Sequence, residues 1–205
     1  MAFDVEKFDH LLLENGVLGF KDPPIKLKSG RQSHYYINCR VLTDTIRMKN
    51  ILCAYILEHL SDISIDPDYF VGVPEGATKI ALGLNDYRAQ ISGSARYMDA
   101  PWVLMRAKPK EHGDPRDRFF IGTVYKGDRV LLIEDVLTTG DSLIERIKQV
   151  SESSLNIVAA MALVNRLEKR SDGISAKEAV ERTGVKCFWL TDSRNLIKKA
   201  IERFS

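Results

Sequence analysis

Two adjacent acids, Glu134 and Asp135, follow the apolar run Val130 to Ile133, and a polar turn, Thr138-Thr139-Gly140-Asp141-Ser142, comes directly after them. Carboxylates are acceptors, suited to sugar hydroxyls or to a hydrated Mg²⁺. Gly140 lets the backbone turn tightly. The N–H groups of such a turn, with the start of the helix behind it, make a site for a phosphate. Thr138, Thr139 and Ser142 add hydroxyl donors. A ligand with vicinal hydroxyls beside a phosphate satisfies both halves, and a ribose 5-phosphate is such a ligand. No Gly-Lys-Ser/Thr follows, so this is not a Walker P-loop. Asp141 would repel a phosphate, and its side chain is expected to face solvent. Taken only as strand, acids and polar turn, the same residues also fit an ordinary capped strand-to-helix connection.

Four other places bring together residues of chemical interest. Leu27 to Asn38 joins Lys28, Gly30 and Arg31 to the aromatics Tyr35 and Tyr36. Val71-Gly72-Val73-Pro74-Glu75-Gly76-Ala77 is an apolar run ending in small residues that allow close backbone approach. Arg106 to Gly113 supplies cations, among them Lys110 and His112. Val164-Asn165-Arg166 sets an arginine at the end of an apolar run, and a guanidinium there is able to grip a carboxylate bidentately.

These places need a scaffold. Val5, Phe8, Leu11 and Leu12 recur at helical spacing behind Asp4, a predicted N-cap. Lys21 to Arg31 contains Pro23, Pro24 and Gly30 and reads as irregular, with a short strand at Tyr35 to Ile37. Met48, Ile51, Leu52, Tyr55 and Ile56 mark a helical face. Core strands are predicted at Tyr69 to Val73, Trp102 to Met105, Val130 to Ile133 and Ile157 to Val164. Phe119 to Tyr125 is a further strand, and Cys187 to Leu190 an edge strand. Helices are expected after Pro74, across Leu143 to Val150, at Ala176 to Arg182 and at Asn195 to Phe204. Ala107 to Arg118 is polar and rich in Pro and Gly, and it reads as an exposed mobile loop. Strands alternating with helices imply a mostly parallel sheet covered on both faces, an α/β fold with ligands at the carboxyl ends of the strands.

The chain has 205 residues, 44% hydrophobic and 28% charged, which suits one domain with a packed core. Its 30 basic and 28 acidic residues leave a formal charge of +2, without the basic excess of a nucleic-acid binder. Cys39, Cys53 and Cys187 lie far apart and form neither a metal motif nor a disulfide framework, as expected of a cytoplasmic protein. Cys53 reads as core filling. The start of the chain does not look like a signal peptide, and the longest apolar run, Ile157 to Val164, is far short of the roughly 20 residues of a membrane helix.

The string from Val130 to Ser142 resembles the phosphoribosyl pyrophosphate signature of type I phosphoribosyltransferases. With the other four segments it resembles orotate phosphoribosyltransferases over most of the chain. The resemblance implies a type I phosphoribosyltransferase fold in one domain, 1–205, with about 1–40 and part of the C-terminus forming a hood over the base. It implies transfer of the phosphoribosyl group to orotate, giving orotidine 5′-monophosphate and pyrophosphate in pyrimidine biosynthesis. Phosphoribosyl pyrophosphate would meet Lys28, Arg106, Lys110, His112, Glu134, Asp135 and the Thr138–Ser142 turn. Orotate would meet Tyr36, Thr138 and Arg166. Lys110, His112 and Asp135 would be catalytic, and Mg²⁺ would be bridged by substrate, with water-mediated contact to Glu134 and Asp135. A homodimer is implied, with the 106–118 loop reaching the neighbouring site. Ile37, Gly76, Ala107 and Asn165 depart from the family pattern, and Lys79 is not a substitute for a lysine at 76. Two alternatives stay open, transfer to another nucleobase and a non-catalytic sensor of phosphoribosyl pyrophosphate.

Overall fold

The computed structural model describes residues 2–27, 30–114 and 117–204. The chain begins with α1 (Val5–Glu14), whose first turn is capped by the Asp4 carboxylate accepting from the Lys7 N–H at 3.1 Å. Phe8 and Leu12 bury its inner face. Two strands, β1 (Leu18–Lys26) and β2 (Gln32–Ile37), then pair as an antiparallel hairpin. The expected irregular stretch from Lys21 is therefore strand as far as Lys26. Pro23 and Pro24 lie within the interval, Phe20 to Ile25, where the register shifts. Lacking N–H groups, they interrupt the ladder without ending it.

A short 3₁₀ turn, Cys39–Thr43, leads to α2 (Ile46–Asp62). The remaining elements follow in the order β3 (Tyr69–Gly72), α3 (Thr78–Ser92), α4 (Ala95–Met98), β4 (Leu104–Met105), β5 (Phe120–Ile121), β6 (Arg129–Leu137), α5 (Asp141–Glu152), β7 (Asn156–Asn165), α6 (Ala176–Glu181), β8 (Cys187–Asp192) and α7 (Ser193–Phe204). Strands β3, β6, β7 and β8 form one parallel sheet in that order, with β6 and β7 in the middle. Side chains alternate along these strands, and the sheet divides the interior into two cores. Leu131, Ile133, Ala159, Met161 and Leu163 pack with α1, α2, α3 and Leu196. Val130, Leu132, Ala160 and Ala162 pack with Leu143, Ile147 and Val150 of α5 and Val180 of α6.

β3 is an edge strand, and its outer backbone groups need partners. Asn85 of α3 supplies them. Its amide oxygen accepts from the Phe70 N–H at 2.8 Å and its amide nitrogen donates to the Phe70 carbonyl at 2.9 Å.

Trp102–Met105 and Phe119–Tyr125 contribute less strand than expected. Only Leu104–Met105 and Phe120–Ile121 pair, and they pair with each other as a small antiparallel ribbon outside the parallel sheet. Trp102 is 60% exposed. No helix among the described residues is long and apolar enough to cross a membrane.

Candidate active site

β6 is the central support of the site. It runs through both acids to Leu137, past the Ile133 at which the apolar pattern ends. Gly140 then turns the chain into α5 with φ at 82°, in the left-handed region. A Cβ there would also lie 3.2 Å from the Ala176 carbonyl and 3.2 Å from Val180 Cγ2, so α6 closes the turn from behind. Asp141 opens the helix with its side chain 66% exposed, as expected, and it also makes hydrogen bonds. One carboxylate oxygen accepts from the Thr139 hydroxyl at 2.7 Å, and the other meets Arg170 Nη1 at 2.5 Å. The same Nη1 donates to the Thr139 carbonyl at 2.6 Å. The bond to Asp141 raises the Arg170 pKa above its ordinary value.

Glu134 is buried, and its side chain accepts from the Asp135 N–H at 3.3 Å. Asp135 accepts from the Val136 N–H at 3.0 Å, and Arg40 Nε stands 3.8 Å from its other oxygen. The turn after β3 closes over this acid, with the Pro74–Glu75 peptide in the cis form. A Cβ on Gly76 would fall 2.3 Å from Asp135 Oδ2. The missing family lysine at 76 thus has a local reason, since any side chain there enters the space Asp135 occupies. Burial, and then the charge of Asp135, push the thiol of the neighbouring Cys39 well above its usual range.

Arg166 lies just past the end of β7, the strand beside β6. It is 6% exposed. Its Nε donates to Glu168 at 2.7 Å, its Nη2 to the Ser33 hydroxyl at 3.1 Å, and its guanidinium lies 4.4 Å from the centroid of the Tyr35 ring. Leu167 adopts φ of 56°, uncommon for a side chain of its size. That turn brings Glu168 back to Arg166. Asn165 supports it by accepting from the Leu167 N–H at 2.9 Å. An amide oxygen serves this purpose as an Asp oxygen would, which accounts for the Asn at 165. Ile37 is 4% exposed and belongs to the first core, so an aliphatic side chain fits the position.

These parts line one cavity of about 550 Å³. The residues from Glu134 to Leu143 form one wall, Pro74 to Gly76 another, and Tyr36, Ile37, Arg40 and Arg166 the end under the β1–β2 hairpin. Of the residues singled out in the sequence, this cavity gathers Tyr36, Glu134, Asp135, Thr138, Thr139, Gly140, Asp141, Ser142 and Arg166. Arg106, Lys110 and His112 do not line it. Arg106 Nε donates to the Asp117 carbonyl at 3.0 Å, and Lys110 Nζ is 3.5 Å from the Asp117 carboxylate. Lys108 to Gly113 line a separate hollow of about 660 Å³. Lys28 lies outside the described residues. Among the described residues, no cluster of three or more His, Cys, Asp or Glu side chains is placed to hold a metal ion.

Sequence reasoning gave Tyr35 no specific role and missed Arg40, Glu168 and Arg170. Glu168 lay in plain view two residues from Arg166, but only the turn at Leu167 reveals the pairing. Arg170 meets Asp141 across 29 positions of sequence, and no local pattern announces it.

No protein-family model matches the chain. The orotate phosphoribosyltransferase of Pyrococcus horikoshii is 31% identical over 191 residues, covering 93% of this chain and 92% of that one. The chain belongs to the orotate phosphoribosyltransferase family. The orotate phosphoribosyltransferase of Pyrococcus furiosus is 34% identical and covers 85% of this chain and 86% of its own. A crystal structure of the Aeropyrum pernix orotate phosphoribosyltransferase superposes with a TM-score of 0.73 at 24% identity, over 94% of this chain and 97% of that one. The architecture is the type I phosphoribosyltransferase fold expected from the sequence. One cavity of this orotate phosphoribosyltransferase family member is thus lined by the Thr138–Ser142 turn, by Glu134 and Asp135, and by Arg166.

Proposed function

We propose that this chain transfers the phosphoribosyl group of phosphoribosyl pyrophosphate to orotate, forming orotidine 5′-monophosphate and releasing pyrophosphate. The observation that carries this reading is the single cavity that joins a phosphate turn to a buried arginine through two acids. The 5′-phosphate would sit on the N–H groups of the Thr138–Ser142 turn and the α5 N-terminus. Glu134 and Asp135 would hold the ribose hydroxyls as the sugar gains oxocarbenium character. Orotate would lie against Tyr36 near Thr138, with its carboxylate toward Arg166. The bond from the anomeric carbon to pyrophosphate breaks and a bond to a ring nitrogen forms. Lys28 would be a further contact of the phosphoribosyl pyrophosphate in this reading.

Glu134 and Asp135 fit Mg²⁺, because both offer hard carboxylate oxygens to the same cavity. Held there, Mg²⁺ would supply Lewis-acid neutralisation of the pyrophosphate charge. Arg106, Lys110 and His112 would assist the departing pyrophosphate once their loop closes on a site. Their position outside this chain's own cavity supports a homodimer in which loop 106–118 serves the neighbouring subunit. In this reading 1–205 acts as one phosphoribosyltransferase domain, with about 1–40 and part of the C-terminus as the hood over the base. Three free, buried cysteines suit a reducing cytoplasm.

The test is orotate absorbance after mixing protein, phosphoribosyl pyrophosphate and Mg²⁺. Loss of orotate is expected. Stable orotate with turnover of a purine in its place would sink the substrate assignment.

A further inference from the structure

An acid at the first position of α5 creates a conflict. Helix N-termini attract anions, and a nearby carboxylate is drawn to the same N–H and hydroxyl donors that a bound phosphate needs. Asp141 already takes one such donor, the Thr139 hydroxyl, at 2.7 Å. A second acid, Asp172, stands close by, 3.3 Å from Arg170 Nε. Between the two lies one guanidinium. Arg170 bonds the second oxygen of Asp141 at 2.5 Å and the Thr139 carbonyl at 2.6 Å. It is delivered by a tight turn after β7, closed by Gly173 N–H to the Arg170 carbonyl at 3.1 Å and by the pairing of Lys169 with Ser175. Its side chain is 19% exposed, so it is packed in place beside the turn.

We propose that Arg170 is a positioning residue for the phosphate turn, and that it holds off Asp141, a built-in competitor for the sugar phosphate. Two effects follow. Arg170 neutralises the acid nearest the incoming dianion, and through the Thr139 carbonyl it fixes the turn with its N–H groups toward the ligand. Without Arg170, Asp141 turns back onto the donors of the turn and a phosphate must displace it. The ligand class is a dianionic sugar phosphate, and the inference rests on the reading of this turn given above.

The test is calorimetric binding of phosphoribosyl pyrophosphate with Mg²⁺ and no base, so that its outcome is independent of base choice. Arg170→Ala should weaken binding by roughly tenfold to a hundredfold, the scale of one charge-assisted hydrogen bond. In turnover the KM for phosphoribosyl pyrophosphate should rise far more than kcat falls. Asp141→Asn placed on Arg170→Ala should recover most of the lost affinity, because it removes the competitor. Should the alanine variant not fold, Arg170→Gln serves the same comparison. Wild-type affinity in Arg170→Ala would overturn the proposal. So would a double variant as weak as the single one, since that would make Arg170 only a structural prop. A wild-type protein that binds no phosphoribosyl pyrophosphate sinks both this inference and the site. Intact, Arg170-dependent binding with inert orotate sinks the base assignment alone.

Discussion

Arg166 illustrates how much a single side chain depends on its surroundings. Its Nε is held by Glu168, its Nη2 by Ser33, and its face by Tyr35. A lysine cannot reproduce a planar fork with three differently directed partners. Arg166→Lys should therefore raise the KM for orotate by about tenfold or more, with a much smaller change in the KM for phosphoribosyl pyrophosphate. Steady-state kinetics with each substrate varied in turn checks this, and equal rises in both would refute it. Buried thiols give a second expectation. Burial pushes Cys53 and Cys187 up to about 12 from an ordinary 9.0. The folded state thus keeps its protons where the unfolded chain releases them, so stability is intact below about pH 9 and declines as pH rises above it. Urea midpoints should fall between about pH 9 and pH 11, and Cys53→Ala should show a shallower fall. The Glu134–Ser142 residues were legible from sequence because one contiguous stretch holds strand, acids and turn. Arg170 and Glu168 were not, because their partners are set by tertiary turns. Asp141 is exposed as expected, and its tie to Arg170 was hidden for the same reason.

Among the elements, the parallel sheet was legible, since buried strands carry continuous apolar runs such as 69–73 and 157–164. The β4–β5 ribbon was less so. Trp102 and Tyr125 look like core residues in a linear pattern, yet each is 60% exposed and neither belongs to a strand. The hairpin was misread at Pro23 and Pro24, because an irregular register absorbs prolines that would break a regular ladder. Asn85 is the element-scale feature most open to test. It closes the edge of β3, the strand that feeds the Pro74–Gly76 turn. Asn85→Ala leaves a buried N–H and a buried carbonyl without partners, at a cost of about 2–3 kcal/mol. Urea unfolding measures that loss, and a change near zero would show that β3 does not need this support.

At the scale of the whole molecule, one chain's cavity holds the acids and the Thr138–Ser142 turn while the cations Arg106 and Lys110 are engaged with Asp117 outside it. A homodimer with crossing loops makes a clear expectation. Lys110→Ala and Asp135→Asn should each be nearly inactive alone. Mixed and allowed to exchange subunits, they should recover about a quarter of wild-type activity, because half of the randomly paired dimers then carry one complete site of two. Equilibrium mixing followed by orotate assay decides it, and no recovery on confirmed subunit exchange would place each loop on its own site.

The sheet's division of the interior into two cores also bears on how this active site can change over time. Ile37, Leu190 and Leu196, on the side proposed to hold the base, belong to one core, whereas Leu137, Leu143 and Val180, on the side proposed to hold the sugar phosphate, belong to the other. Substitutions that reshape the pocket for a different base can accumulate on one side of the sheet while the sugar-phosphate grip on the far side is inherited intact. On the proposed function, the barrier formed by β6 and β7 would be a partition between a half free to vary and a half held constant.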